Sequence, residues 1–358
     1  MTTHTDVDFM RAALSLGRRG LGRVWPNPAV GCILVKAGQV VGRGWTADGG
    51  RPHSEVVALA EAGALAKGAT AYVTLEPCAH TGETGPCAEA LIAAGVARVV
   101  VATTDPDPRV SGKGIEILRT AGVEVDVGVC KDAADRDHAG FFARVSYGRP
   151  FVTLKLAGSF DGRIATRTGE SKWITGPEAR QLVHAMRARH DAVMVGAGTA
   201  RADDPSLNVR GMGDVPQPVR VVASRNLDIP TDGMLARTAN EQPVWLLHQS
   251  GAATSVWEGL GARCFDCGAP MDWTKGLEAL AEAGLTRVFC EGGGGLAASL
   301  LQAGLVDELV TFTAGVGIGA DGMPSLASLG VEALSDAPRF ALVDVRSVGP
   351  DTMTVWRR

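Results

Sequence analysis

Two rhythms of apolar residues run along this chain. Short runs such as "VGCILV" (from Val30), "TAYVTL" (Thr70), "ARVVVAT" (Ala97) and "VEVDVGV" (Val123) read as strands. Longer helical patterns lie between and after them, as in "SEVVALAEAGALA" (Ser54 onward) and "KDAADRDHAGFFARV" (Lys131 onward). Alternation of this kind predicts α/β architecture. The turn-like "SYGRP" (Ser146–Pro150) breaks the pattern, because Gly148 and Pro150 both punctuate it. A second series then begins at "FVTLKLAG" and continues through "DAVMVGAG", "VRVVAS", "PVWLLH" and "TRVFCEGGGG". The final "FALVDVRSVGPDTMTVWRR" reads as two strands around a Gly-Pro-Asp turn, an antiparallel pair closing a mostly parallel sheet. The expected division is residues 1–148 and 149–358.

Composition narrows the class. A chain of 358 residues is longer than one core usually grows. The net charge of -4 leaves no excess of positive charge to hold nucleic acid, so a small ligand is the expected partner. "ALIAAGVARVVVATT", the most apolar stretch, is interrupted by Arg98 and is not a membrane span. The first residues carry acidic groups and no apolar signal core, which points to the cytoplasm. Seven cysteines at irregular spacing suit thiols or metal ligands better than disulfides.

"RPHSEVVAL" and "TLEPCAHTGETGPCAEAL" together suggest a metal. His53, Cys78 and Cys87 offer one imidazole and two thiolates, the donor set of a catalytic zinc whose fourth position is left for water. A structural zinc would need a fourth protein ligand, and His80 is the nearby candidate. Glu55, two residues past His53, can move a proton without ligating. The order H-x-E … P-C … C is that of zinc nucleobase deaminases, although the gap between cysteines is eight residues here rather than two. In the second half, four glycines from Gly292 to Gly295 follow Glu291 at a strand end and precede a helix. Their backbone N–H groups suit a phosphate, but this is not the Rossmann fingerprint.

Several motifs carry a family resemblance. "PNPAVGCILV" (Pro26–Val35), "PHSEVVAL", "TLEPCAHTGETGPC" and "DPDPRVSGKG" (Asp105–Gly114) resemble the deaminase half of the bifunctional riboflavin-biosynthesis deaminase/reductases, the RibD family. The long cysteine gap is that family's own. "KLAGSFDGRIATRTGESKWITG" (Lys155–Gly176) and "VGAGTARADDPSLNVR" (Val195–Arg210) resemble its reductase half.

The resemblance implies a cytidine-deaminase-like three-layer domain followed by a dihydrofolate-reductase-like domain. It implies zinc on His53, Cys78 and Cys87, Glu55 as proton shuttle, and Asn27 against the pyrimidine. It implies NADPH contacts from Gly158, Trp173, Thr199, Asp203, Ser224, Gly293, Gly294, Gly295, Leu296, Ala297, Ala298 and Ser299. Substrate contacts are implied for Lys155, Ser171, Arg187, Leu207, Arg210 and Glu291. A homo-dimer or larger homo-oligomer is also implied.

The implied activity is zinc-dependent deamination of a diaminopyrimidinone ribosyl phosphate, then NADPH-dependent reduction of the ribosyl chain. Departures from the family pattern are Ser54 for Ala, Thr46 for His, Glu83 for Arg or Lys, and "AGVGIG" (Ala314–Gly319) for a run with Pro and Lys. A carboxylate at Glu83 would repel a substrate phosphate where a cation would attract it, so Arg51 and Lys113 are candidate replacements. The alternatives are a chain with only one active half or a nucleic-acid-editing deaminase. "CFDC" (Cys264–Cys267) lacks further ligands and reads as ordinary thiols.

Overall fold

The computed structural model describes residues 5–79, 85–108 and 110–358. They form two compact units, Met1–Gly148 and Arg149–Arg358. In the first unit the elements run α1 (Asp6–Gly17), β1 (Gly31–Lys36), β2 (Gln39–Trp45), α2 (Ser54–Ala62), β3 (Thr70–Val73), α3 (Cys87–Ala93), β4 (Arg98–Val101), α4 (Lys113–Thr120), β5 (Glu124–Val127) and α5 (Lys131–Tyr147). The sheet order is β2-β1-β3-β4-β5, with β1 antiparallel to both neighbours and β3, β4 and β5 parallel.

Strand side chains alternate between faces, and each face is buried. Cys32, Leu34, Val73, Val99 and Val101 pack with Ala58 of α2, Leu91 of α3 and Leu118 of α4. Ile33, Val35, Tyr72 and Val100 pack on the other face with Met10 and Leu14 of α1 and Ala134 of α5. That is a three-layer α/β/α sandwich.

The strand β2 is absent from the apolar runs because Gly42 and Gly44 dilute it. Packing explains them. A Cβ on Gly42 would lie 2.3 Å from the Ala58 carbonyl, and one on Gly44 would lie 2.1 Å from that of Ser54. The helix α2 thus lies directly on β2. It also ends earlier than its pattern predicts, because Gly63 takes a left-handed φ of 51° and a 3-10 turn follows.

The second unit runs β6 (Phe151–Ser159), β7 (Arg163–Ala165), α6 (Pro177–Arg187), β8 (Ala192–Gly196), α7 (Ala197–Asp203), β9 (Val219–Ala223), α8 (Met234–Arg237), β10 (Val244–His248), α9 (Ser255–Gly259), β11 (Arg263–Asp266), α10 (Trp273–Glu282), β12 (Arg287–Gly292), α11 (Gly294–Gln302), β13 (Glu308–Ala314), β14 (Met323–Pro324), β15 (Ala341–Val348) and β16 (Asp351–Arg357). Nine strands form one sheet in the order β11-β10-β9-β8-β12-β6-β13-β16-β15. It is parallel from β11 to β13, and the terminal hairpin β15–β16 adds antiparallel on β13. The short strands β7 and β14 pair separately. Among the described residues no helix is long and apolar enough to cross a membrane.

Two candidate active sites

His53 is the N-cap of α2, Cys87 opens α3, and Cys78 lies in the loop beyond β3, five residues past its end. Local packing brings them together. The Glu76 carboxylate accepts N–H bonds from Asp105, Gly112, Gly114 and Ile115, at 3.0–3.4 Å, which anchors the strand end to the start of α4. A Cβ on Gly114 would stand 2.0 Å from the Pro77 carbonyl, so the helix presses against the residue before Cys78. The Cys87 backbone N–H donates to Cys78 Sγ at 3.2 Å.

The three donor atoms lie within 4.8 Å of one another. His53 Nδ1 is 3.3 Å from Cys87 Sγ and 3.7 Å from Cys78 Sγ. Tetrahedral zinc with ordinary bond lengths requires about 3.6 Å between an imidazole nitrogen and a thiolate sulfur. The donor set therefore fits zinc in both chemistry and spacing. Among the described residues no fourth His, Cys, Asp or Glu joins this group. His80 and Glu83 lie outside the described residues.

The two cysteines and the histidine also share hydrogen bonds. Donation from Cys87 holds the Cys78 thiol down to about 4, against the opposing effect of burial. The same bond and burial push the Cys87 thiol up. Hydrogen bonding to Cys78 raises His53. Glu55 sits in the first turn of α2, only 4% exposed. Burial pushes its carboxyl up and the Cys78 charge adds to this. Ser54, the family departure, donates its hydroxyl to Glu55 Oε2 at 2.8 Å and opposes the rise.

Thr46 also has an account: its Oγ1 accepts from Val30 N–H and donates to the Pro28 carbonyl, both at 3.0 Å, bracing the loop that carries Asn27. Lys113 Nζ donates to the Pro108 carbonyl at 3.0 Å.

The second site is built differently. β8 and β12 are neighbouring parallel strands, and each leads into a helix, α7 and α11, at the carboxyl edge of the sheet. Two helix N-termini side by side suit a pyrophosphate. Gly292 and Gly293 take positive φ of 70° and 97° to make the second turn. Thr199 Oγ1 donates to the Gly292 carbonyl at 3.0 Å, tying the two loops together. A Cβ on Gly198 or Gly295 would meet nothing within 4 Å, so each leaves open space at its helix start. These features fit a dinucleotide. Leu296, Ala297 and Ala298 are buried, which leaves only their backbone for a cofactor.

Beside this cradle, Arg187 at the end of α6 pairs through Nε with Glu291 Oε1, and both side chains are 12% exposed. Its Nη1 donates to the Asn208 carbonyl at 2.8 Å. Burial raises the Glu291 carboxyl, but Arg187 and Lys155 outweigh it and hold the group below its ordinary value. Burial lowers the Lys155 amine.

His184 was not singled out in the sequence, yet its ring accepts from Arg210 N–H at 3.2 Å and shares this charge cluster. Its signal was the spacing, three residues before Arg187 on one helix face. Gly158 is on β6. Ser224, at the end of β9, donates to Asp228 Oδ1 at 3.1 Å. Leu207 takes a left-handed φ of 53° with its side chain in the core, so a ligand could meet only its backbone. Asp203, Arg210 and Ser171 are exposed. Trp173 is 70% exposed and stacks with the Arg180 guanidinium, 4.4 Å from the ring centre. Burial raises both Cys264 and Cys267 to about 11, which leaves them ordinary protonated thiols.

Comparison with known proteins gives a family match for each unit. Residues 150–354 match the RibD C-terminal domain, and residues 3–103 match the cytidine and deoxycytidylate deaminase zinc-binding region. The riboflavin biosynthesis protein RibD of Escherichia coli is 40% identical over 367 residues, covering 97% of each chain. The chain belongs to the RibD family.

RibD of Aquifex aeolicus is 38% identical over 368 residues and covers both chains completely. The structure of Acinetobacter baumannii RibD, form 1, superposes with a TM-score of 0.89 at 40% identity, covering 98% of each chain. A Thermotoga maritima diaminohydroxyphosphoribosylaminopyrimidine deaminase/5-amino-6-(5-phosphoribosylamino)uracil reductase superposes at 0.87 with 33% identity and 98% coverage of each. This chain is accordingly a bifunctional deaminase and reductase of riboflavin biosynthesis, using zinc and NADPH. The fold expectation, a deaminase-like layer sandwich followed by a RibD reductase domain, holds.

Proposed function

We propose that residues 1–148 deaminate a diaminopyrimidinone ribosyl phosphate and that residues 149–358 reduce the ribosyl chain of the product to ribityl. The observation that carries the first half is the convergence of His53, Cys78 and Cys87 beside a buried carboxylate. These three would hold zinc, which supplies Lewis acidity that lowers the pKa of water to about 7. Asn27 orients the pyrimidine. Glu55, whose carboxyl is raised by burial, takes a proton from the attacking water and delivers it to the leaving nitrogen. The ring carbon exchanges its C–N bond for C=O, and ammonia departs.

In the second half the glycine turns at Gly198 and Gly293–Gly295, with Thr199, would cradle NADPH, which supplies the hydride. Lys155, Glu291 and Arg187 would order the substrate, and Arg210 with Arg187 would meet its phosphate. The ribosyl C1′ gains the hydride while its bond to the ring oxygen opens and that oxygen gains a proton.

Glu55→Ala tests the first half. Zinc content and NADPH consumption with deaminated substrate should persist while ammonia release falls by about 10²-fold or more. Loss of zinc in that variant would make the carboxylate a ligand and its assigned role wrong. The homo-oligomer implied by the family resemblance is part of the same proposal, checked by light scattering of the whole chain.

A further inference from the structure

The loop from Thr46 to Pro52 does more than join β2 to His53. Asn27 is half-buried, and its carboxamide Nδ2 donates to the Gly50 carbonyl at 3.2 Å. Gly50 holds φ at +88°, and a Cβ there would stand 2.1 Å from Asn27 Nδ2 and 2.8 Å from the Val24 carbonyl. That contact leaves no room for a side chain. Gly49 N–H returns to the Arg23 carbonyl at 2.9 Å, closing the loop onto the segment before Asn27.

After Asn27 in the chain, Pro28 and Val30 are held by Thr46, which is 2% exposed and binds them at three points. Its hydroxyl accepts from Val30 N–H and donates to the Pro28 carbonyl, and its own N–H reaches the Val30 carbonyl at 2.9 Å. One short segment therefore contacts Asn27 directly through Gly50, braces the residues that follow it through Thr46, and leads straight into His53.

We infer that Thr46 and Gly50 are positioning residues that present the Asn27 carboxamide to the deaminase substrate. With one Nδ2 hydrogen held by Gly50, the carboxamide has Oδ1 as an acceptor and a second N–H as a donor to offer a ligand. The inference rests on the proposed contact between Asn27 and the pyrimidine.

The test uses the full chain in a Glu55→Ala background, so that substrate binds without turnover. Calorimetry then measures its affinity directly. Thr46→Val, which keeps the shape and removes the hydroxyl, should weaken binding about tenfold, the scale of one lost buried hydrogen bond. Zinc content and NADPH consumption should stay unchanged. Thr46→Ser should restore binding. Asn27→Asp keeps an outward oxygen but turns the Gly50 contact repulsive, and should weaken binding at least as much.

If Asn27→Ala weakens binding but Thr46→Val and Asn27→Asp do not, the positioning inference is wrong and the Asn27 contact stands. If Asn27→Ala binds like its parent, the contact itself is wrong and the inference falls with it. Zinc loss in Thr46→Val would make that residue merely structural and would also overturn the inference.

Discussion

The two halves of this chain solve binding in opposite ways. The first half gathers side chains whose chemistry is explicit: one imidazole, two thiols and a carboxylate, converging from the starts of two helices and the loop past a strand. The second half offers mainly backbone, two glycine turns at the ends of β8 and β12, with one buried ion pair beside them. A metal needs particular donor atoms, whereas a dinucleotide's phosphates need close approach and N–H groups. Removing one side chain should therefore be fatal in the first site. In the second, adding a side chain should do the harm.

Cys87→Ser gives the largest expected effect. It should remove stoichiometric zinc and abolish ammonia release, with NADPH consumption on deaminated substrate retained. Metal analysis and the two product assays check it.

Next comes Glu291→Gln, which leaves Arg187 buried without its charge partner. Breaking a buried pair costs about 3–5 kcal/mol, so a guanidinium melt should show a large loss of stability as well as slower reduction. Gly295→Val should be tolerated by the fold, since a Cβ there meets nothing, but should raise KM for NADPH about tenfold or more by blocking approach. An unchanged KM would remove the backbone cradle from the account.

A smaller effect concerns acid. His190 is buried, with its ring nitrogens on Thr153 Oγ1 and the Met186 carbonyl, and burial lowers its pKa to about 4. Unfolded, it titrates near its ordinary 6.5. Between these values the unfolded chain binds more protons, so stability falls as pH drops through that window. Linkage gives about 2 kcal/mol less stability at pH 5 than at pH 7 from this group. His190→Gln should flatten that part of the profile. Cys264→Ser should change neither reaction, the smallest effect of all.

The contrast also governs how much was legible in the sequence. The metal site could be read because its residue types are few and its two motifs sit at element starts, even with eight residues between the cysteines. The strands were visible where both faces are buried, and β2 was hidden by the glycines that let α2 lie against it.

In the second half, resemblance supplied what pattern could not. No periodicity marks Leu207 as a core residue with left-handed backbone, nor tells that Leu296, Ala297 and Ala298 have only backbone to offer. His184 was passed over because a lone histidine has no meaning until Arg187, Arg210 and Glu291 surround it. Thr46 looked like a loss when compared with the family histidine. Its place as a brace depends on contacts with Pro28 and Val30, sixteen or more residues away in the chain.

The central claim is that one zinc, held by His53, Cys78 and Cys87, serves deamination alone. The direct measurement is to strip metal from the intact chain with a chelator, then follow ammonia and NADPH separately on their own substrates. Ammonia release should stop and return with one equivalent of zinc, while NADPH consumption continues throughout. Deamination that survives complete removal of metal, or reduction that stops with it, would contradict the account.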